Sequence, residues 1–165
     1  MADEKNDELF DAWLRLKYGS LQPGETVTLP VLSGSMLPLL VPGRDIKIQG
    51  VSYRDSTKGD IIVYKDNNRL SAHRLLLRLR IRGKDYIFQK GDAIDFGSWI
   101  PAGQVVGIVV ETKDTNGNII DFRSEEEIRK AKSSIHKHLA TDIQQRILVF
   151  PRLVKRMLKK IVRCI

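Results

Sequence analysis

The spacing of apolar residues changes period along this chain. Between residues 6 and 18, Leu9, Phe10, Trp13, Leu14 and Leu16 share one face at helical spacing, and Gly19 supplies a stop. Beyond it the period falls to two. Thr26–Val31 alternates up to Pro30, Ile46 and Ile48 flank Lys47, and Ile61–Tyr64 is a compact β run. Leu75 to Ile81 alternates with basic residues, and Arg82-Gly83-Lys84-Asp85 predicts a turn into Tyr86-Ile87-Phe88. Gln104–Val110 predicts a further strand, and Asn116-Gly117 a hairpin into Ile119-Ile120. Helical spacing then returns. Ser124 followed by Glu127 is a capping box that opens a polar helix to about Leu139. A second helical pattern starts near Thr141 and is kinked or restarted at Pro151. Short strands joined by turns predict a mainly β, antiparallel domain over residues 1–122, including the short N-terminal helix, followed by a helical arm over 123–165.

With 165 residues, 42% of them hydrophobic, the chain can bury one real core. Its net charge of +8 favours an anionic partner, but that charge is local. Residues 141–165 hold seven Lys and Arg against one acid, Asp142, and so carry +6 of the +8. There Phe150, Leu153, Val154, Met157, Leu158, Ile161, Val162 and Ile165 recur at three- and four-residue spacing, with cations on the other face. Such a helix suits an anionic membrane surface; it equally suits docking on the β domain with its cations in water. Nucleic acid is not expected, because no aromatic or DNA-reading module accompanies the basic arm. The single cysteine, Cys164, rules out an intrachain disulfide. The start, MADEKNDELF, is acidic and polar, unlike an export signal, and no run reaches about 18 uninterrupted apolar residues. The expected location is therefore the cytoplasm or the cytoplasmic side of a membrane, reached peripherally or through a membrane-anchoring partner protein.

Candidate chemistry centres on Ser35, within Ser33-Gly34-Ser35-Met36-Leu37-Pro38. A serine hydroxyl needs a neighbouring base to become a nucleophile, and its attack on a carbonyl needs donors for the oxyanion. The Ser35 amide and the Ser33 hydroxyl are near enough in sequence to be those donors. Taken alone, the segment reads more simply as a Gly/Ser/Pro loop. Elsewhere, His136 and His138 stand two apart on a helix, do not share a face, and read as solvent-facing rather than metal ligands. Phosphate-binding glycine loops are absent. Lys65, Lys84 and Lys90 read as solvated strand ends or turn residues. Trp13 and Trp99 read as packing residues. No metal or organic cofactor is called for.

Five segments then stand in a telling order: Ser33–Leu40, Lys58-Gly59-Asp60-Ile61-Ile62-Val63-Tyr64, Ala72-His73-Arg74-Leu75, Lys90-Gly91-Asp92-Ala93 and Val105-Val106-Gly107. Together they resemble the serine, strand, base, K-G-D and closing-strand boxes of signal peptidase I, over slightly under half the chain. The resemblance implies a signal-peptidase-like β fold and a serine endopeptidase that cuts a precursor peptide or preprotein after small residues. It implies Ser35 as nucleophile, Ser33 and the Ser35 amide as oxyanion donors, and Met36 and Pro38 as substrate contacts. The base box reads His73-Arg74, like the endoplasmic-reticulum, archaeal and spore-former type, which makes His73 the general base. That type also carries an acid after the K-G-D box. The usual Asp-Asp pair is missing, leaving Asp95 as candidate acid or plain turn residue, with Gly91 and Asp92 supporting the loop, Asp92 by accepting backbone amides. Two other readings are a non-catalytic peptide-binding scaffold and, lower, a self-cleaving repressor of the same fold, for which only 34 residues precede Ser35.

Overall fold

A computed structural model describes Trp13 and residues 21–67, 69–114 and 116–149. The helix expected over residues 6–18, apart from Trp13, and the arm from residue 150 onward lie outside the described residues. Eight strands are described: β1 (Thr26–Pro30), β2 (Asp45–Gln49), β3 (Ile61–Asp66), β4 (Arg69–Ile81), β5 (Lys84–Lys90), β6 (Ser98–Pro101), β7 (Val105–Lys113) and β8 (Ile119–Asp121). One turn of 3-10 helix, Ala102–Gln104, precedes β7, and one long helix, α1 (Glu125–Val149), follows β8. The sheet runs β1-β2-β7-β3-β4-β5-β6, with β8 paired to β7, and every pairing is antiparallel. The fold class is therefore mainly β, as the alternating pattern predicts.

The tight β4–β5 turn shows how local sequence sets topology. Arg82 and Gly83 have φ of 49° and 77°, the left-handed pair that a two-residue hairpin requires, and glycine takes it without a Cβ clash. β4 is longer than the pattern suggests, starting at Arg69 instead of Leu75. Its early half pairs residue for residue with β3, so backbone pairing extends the strand through polar Ser71 and His73. β6 went unread in the sequence because only Ile100 among its four residues is buried.

Three apolar clusters hold the sheet. One joins Ile46, Ile48, Ile61, Val63 and Val109 with Met36 and Leu40 of the Ser35 loop. A second gathers Ile62, Tyr64, Leu75, Ile87, Ile100 and Ile108. The third, smaller, is Leu76, Phe88 and Ile135, where α1 meets the sheet.

The seat of α1 is mostly polar. The helix runs unbroken past Thr141, where the sequence pattern suggested a second helix, since no Pro or Gly interrupts Glu125–Val149. Its capping box forms in part, with the Glu127 amide 3.4 Å from Ser124 Oγ. Buried Asp142 accepts the Gly97 amide at 2.6 Å, and Arg146 donates to the Gly97 carbonyl at 2.6 Å while pairing with Asp142. Residues 141–149 thus dock on the β domain, leaving Ile143, Ile147 and Leu148 exposed. Two expectations are corrected here. Lys90 is not a solvated strand end: it is 2% exposed, with Nζ 3.5 Å from the His138 carbonyl. His138 is not solvent-facing: its Nε2 lies 3.4 Å from Asp92 Oδ1 beneath the helix. Burial lowers the His138 pKa, with nearby Arg74, Lys90 and Lys137 pulling the same way and Asp92 opposing. No helix among the described residues is long and apolar enough to cross a membrane.

Beneath α1, Asp92 takes a bidentate pair from Arg74, Nε to Oδ1 at 2.9 Å and the second nitrogen to Oδ2 at 2.6 Å, and Arg74 also donates to the Gly59 carbonyl at 2.8 Å. Asp92 therefore braces its loop through a guanidinium, where the sequence reading had it accepting backbone amides. Removing one partner of such a buried pair strands the other's charge. Asp92→Ala is expected to cost about 3–5 kcal/mol, read as a lower urea midpoint at unchanged m-value.

Candidate active site

Sequence first places Ser35 on a loop that cannot drift. Met36, at 2% exposure, and Leu40 sink into the core, and the turn closes through the Leu37 amide to the Gly34 carbonyl at 3.1 Å and the Leu40 amide to the Met36 carbonyl at 3.0 Å. Hydrogen bonds from Val31 to the Arg44 carbonyl and from Gly43 to the Val31 carbonyl, each 2.8 Å, shut its base. Between two buried side chains and these bonds, the Ser35 side chain is turned towards the sheet.

His73 comes from the middle of β4, opposite Ile62 of β3. Two strand positions further on, Leu75 faces Gln89 of β5. Side chains opposite one another, or two apart on one strand, share a face, so the register sets Gln89 diagonally beside His73. Tyr64, two residues after Ile62, shares that face as well. The ring then has three neighbours. Its Nε2 lies 3.2 Å from Ser35 Oγ, across 38 residues of chain. Its Nδ1 lies 2.6 Å from Gln89 Oε1 and 3.0 Å from the Tyr64 hydroxyl. Gln89 in turn donates from Nε2 to Ser98 Oγ at 2.6 Å.

Gly91 makes the meeting of loop and strand sterically feasible. A Cβ built there would stand 2.5 Å from the Ser35 carbonyl oxygen and 3.1 Å from His73 Cδ2. The same carbonyl accepts the Ala93 amide at 3.0 Å, so the K-G-D turn and the Ser35 loop are fastened backbone to backbone.

Burial favours the neutral ring. Burial lowers the His73 pKa, opposed by the hydrogen bond to Gln89 and by the charges of Asp92 and Asp66. Tyr64 is pushed up to about 12, first by burial and then by Asp66, so its hydroxyl keeps its proton at neutral pH. A neutral imidazole beside a serine hydroxyl can accept that proton.

Ser33 Oγ lies 3.4 Å from Ser35 Oγ, and the Ser35 amide has no hydrogen-bond partner among the described residues. Both donors expected for an oxyanion therefore sit beside the hydroxyl. Other expected residues do not. Asp95 is exposed and does not reach the ring, whose Nδ1 is occupied by Gln89 and Tyr64. Met36 is packed into the core and presents no side-chain surface for a substrate. Pro38 lines a cavity of about 270 Å³ shared with Arg74, Asp92 and His138 under α1, one lined by neither Ser35 nor His73. Gln89 was missed because it belongs to no box, and Tyr64, although it ends the strand box, was read only as a strand residue; the strand register that sets both beside His73 comes from the fold. Among the described residues no group of His, Cys, Asp and Glu is arranged to hold a metal ion.

No protein-family model matches the chain, and no curated protein matches it. Geometry alone therefore carries the site. Gly91→Ala is expected to cost about 1–3 kcal/mol and to push Ser35 Oγ and His73 Nε2 beyond about 3.5 Å. A crystal structure of the variant with that distance unchanged would count against Gly91 as the residue that permits the contact.

Proposed function

We propose that this chain is a serine endopeptidase of the signal peptidase type, acting through Ser35 and His73. The carrying observation is the 3.2 Å contact between Ser35 Oγ and His73 Nε2. A nucleophile and base within hydrogen-bond reach, beside a free Ser35 amide and a Ser33 hydroxyl that can turn from Ser35 Oγ to an oxyanion, form the minimum set for acyl transfer.

The chemistry follows from those positions. His73 Nε2 removes the hydroxyl proton as Ser35 Oγ attacks the substrate carbonyl. The carbonyl π pair moves to oxygen, where the Ser35 amide and the Ser33 hydroxyl receive the charge. When the tetrahedral centre collapses, the C–N bond breaks and the imidazolium gives its proton to the leaving amine. Water then attacks the acyl carbon as His73 takes its proton; the C–Oγ bond to Ser35 breaks, the acid leaves, and the imidazolium returns the proton to Oγ. The substrate class rests on the resemblance of the five boxes: a precursor peptide, held extended by backbone pairing to a sheet edge, cut after a small residue. The basic segment 141–165 would bring the enzyme to an anionic membrane surface carrying such precursors.

A fluorophosphonate probe tests the reading, because it reacts with activated serines without needing the natural substrate. The wild-type chain is expected to label once, at Ser35. Ser35→Ala abolishes labelling, and His73→Ala slows it by about 10²–10⁴-fold. Because burial lowers the His73 pKa, the base stays neutral, and labelling persists, below the usual histidine midpoint near 6.5. The acid limb of the rate profile is thus expected under that value. Absence of any Ser35 adduct in the folded wild-type chain would leave a peptide-binding scaffold as the better reading.

A further inference from the structure

We infer that Gln89 is the positioning residue of this site, holding the His73 tautomer that leaves Nε2 free to take the Ser35 proton. The inference rests on the Ser35–His73 reading and concerns how that pair is set up without an acid.

A neutral imidazole carries one proton, on Nδ1 or on Nε2, and only the Nδ1–H form can serve as base towards Ser35. In serine hydrolases with an acid, a carboxylate on Nδ1 enforces that form. Here Nδ1 faces a carboxamide. An amide oxygen has no proton to give, so a contact of 2.6 Å between Gln89 Oε1 and Nδ1 requires the hydrogen on Nδ1. With the amide reversed, its NH₂ would donate to Nδ1 and force the proton onto Nε2, where it would point at Ser35 and end the base function. The orientation of the amide therefore decides whether the site works.

Several contacts fix that orientation. Gln89 is 3% exposed, so neither end of the amide can exchange its partner for bulk water. Its nitrogen meets Ser98 Oγ at 2.6 Å, where the hydroxyl can accept. Ser98 follows Gly97, whose amide and carbonyl are both held by α1, through Asp142 and Arg146 at 2.6 Å each. Gly97 also lies against β5, where a Cβ would stand 2.6 Å from the Gln89 carbonyl oxygen. Tyr64, protonated at neutral pH, offers its oxygen to Nδ1–H as a second, longer acceptor at 3.0 Å.

A neutral third member has a measurable consequence. A carboxylate steadies the imidazolium and so raises the pH at which the ring takes its proton. The amide does so far less, and among the described residues the charges that raise the ring's pKa are Asp92 and Asp66, the former already engaged by Arg74. The site is thereby suited to keep a neutral base in mildly acid surroundings.

Two variants test this, Gln89→Glu and Gln89→Met, each followed by fluorophosphonate labelling from pH 5 to 9 and by ¹⁵N chemical shifts of the His73 ring. In wild type the ring is expected wholly in the Nδ1–H form at neutral pH. Gln89→Glu should move the acid limb of labelling up by about one pH unit or more, whether the shared proton rests on the ring or on the carboxyl. Gln89→Met should shift the ring to mixed tautomers and slow labelling about tenfold or more at every pH. A glutamate variant whose acid limb stays in place overturns the proposal. So does a methionine variant that labels at the wild-type rate with His73 still wholly Nδ1–H. The ring spectra need no activity: a wild-type chain that fails to label yet shows a Gln89-dependent Nδ1–H tautomer removes the peptidase reading and supports this one.

Discussion

The Ser35 carbonyl and the α-carbon of Gly91 lie so close that no side chain fits between them. This approach is the constraint around which the site is built. It lets the loop carrying the nucleophile rest against the turn that ends β5, and the Ala93 amide closes the gap with a hydrogen bond. On one flank Met36 and Leu40 fix the loop to the apolar core. On the other, Asp92 is tied to Arg74, and Arg74 to the Gly59 carbonyl. Loop, turn and base strand are thus fastened at several points, and the hydroxyl reaches the imidazole without relying on one flexible contact.

β4 works with both of its faces. His73 points to the side shared with Gln89 and Tyr64, while Arg74 points beneath α1, near Lys90, Asp92 and His138. Adjacent strand residues face opposite ways, so the base and its structural brace are neighbours in sequence and separate in environment. The polar layer under α1 is unusual for a helix seat. Buried charge costs desolvation, and a pair of charges offsets that only when its geometry is good. The bidentate Arg74–Asp92 pair meets that condition. Its geometry specifies how the turn at Gly91–Ala93 sits, which apolar packing alone would define less sharply.

The helix also reaches the site by a second route. Asp142 and Arg146 grip Gly97, Gly97 precedes Ser98, and Ser98 meets the amide of Gln89. The start of the cationic segment is therefore hydrogen-bonded to Gly97, next to Ser98 and Gln89, while Ile143, Ile147 and Leu148 face outward. Over residues 141–149 the docking is polar, through Asp142 and Arg146, the reverse of the apolar docking with cations in water that the sequence pattern suggested.

The strands were legible in two ways: burial on one face imposes period two at Ile46–Ile48, and burial on both faces leaves short β-branched runs at Ile61–Tyr64 and Val105–Val110. The 82–83 turn was legible because Gly83 takes left-handed φ freely between two alternating strands. Ser35 and His73 could be named because their neighbours form ordered boxes, and the fold brings them together. What sequence could not determine were the contacts set by register and by packing across the sheet. Asp95 was the natural acid along the chain, yet strand pairing puts Gln89 on Nδ1. Met36 read as a substrate contact, but the loop turns it inward. Lys90 and His138 read as solvated because charge usually is, and only the seat of α1 buries them. Local pattern follows from the chemistry of neighbouring residues; which side chain completes the site depends on strands brought side by side, and no stretch of sequence carries that by itself.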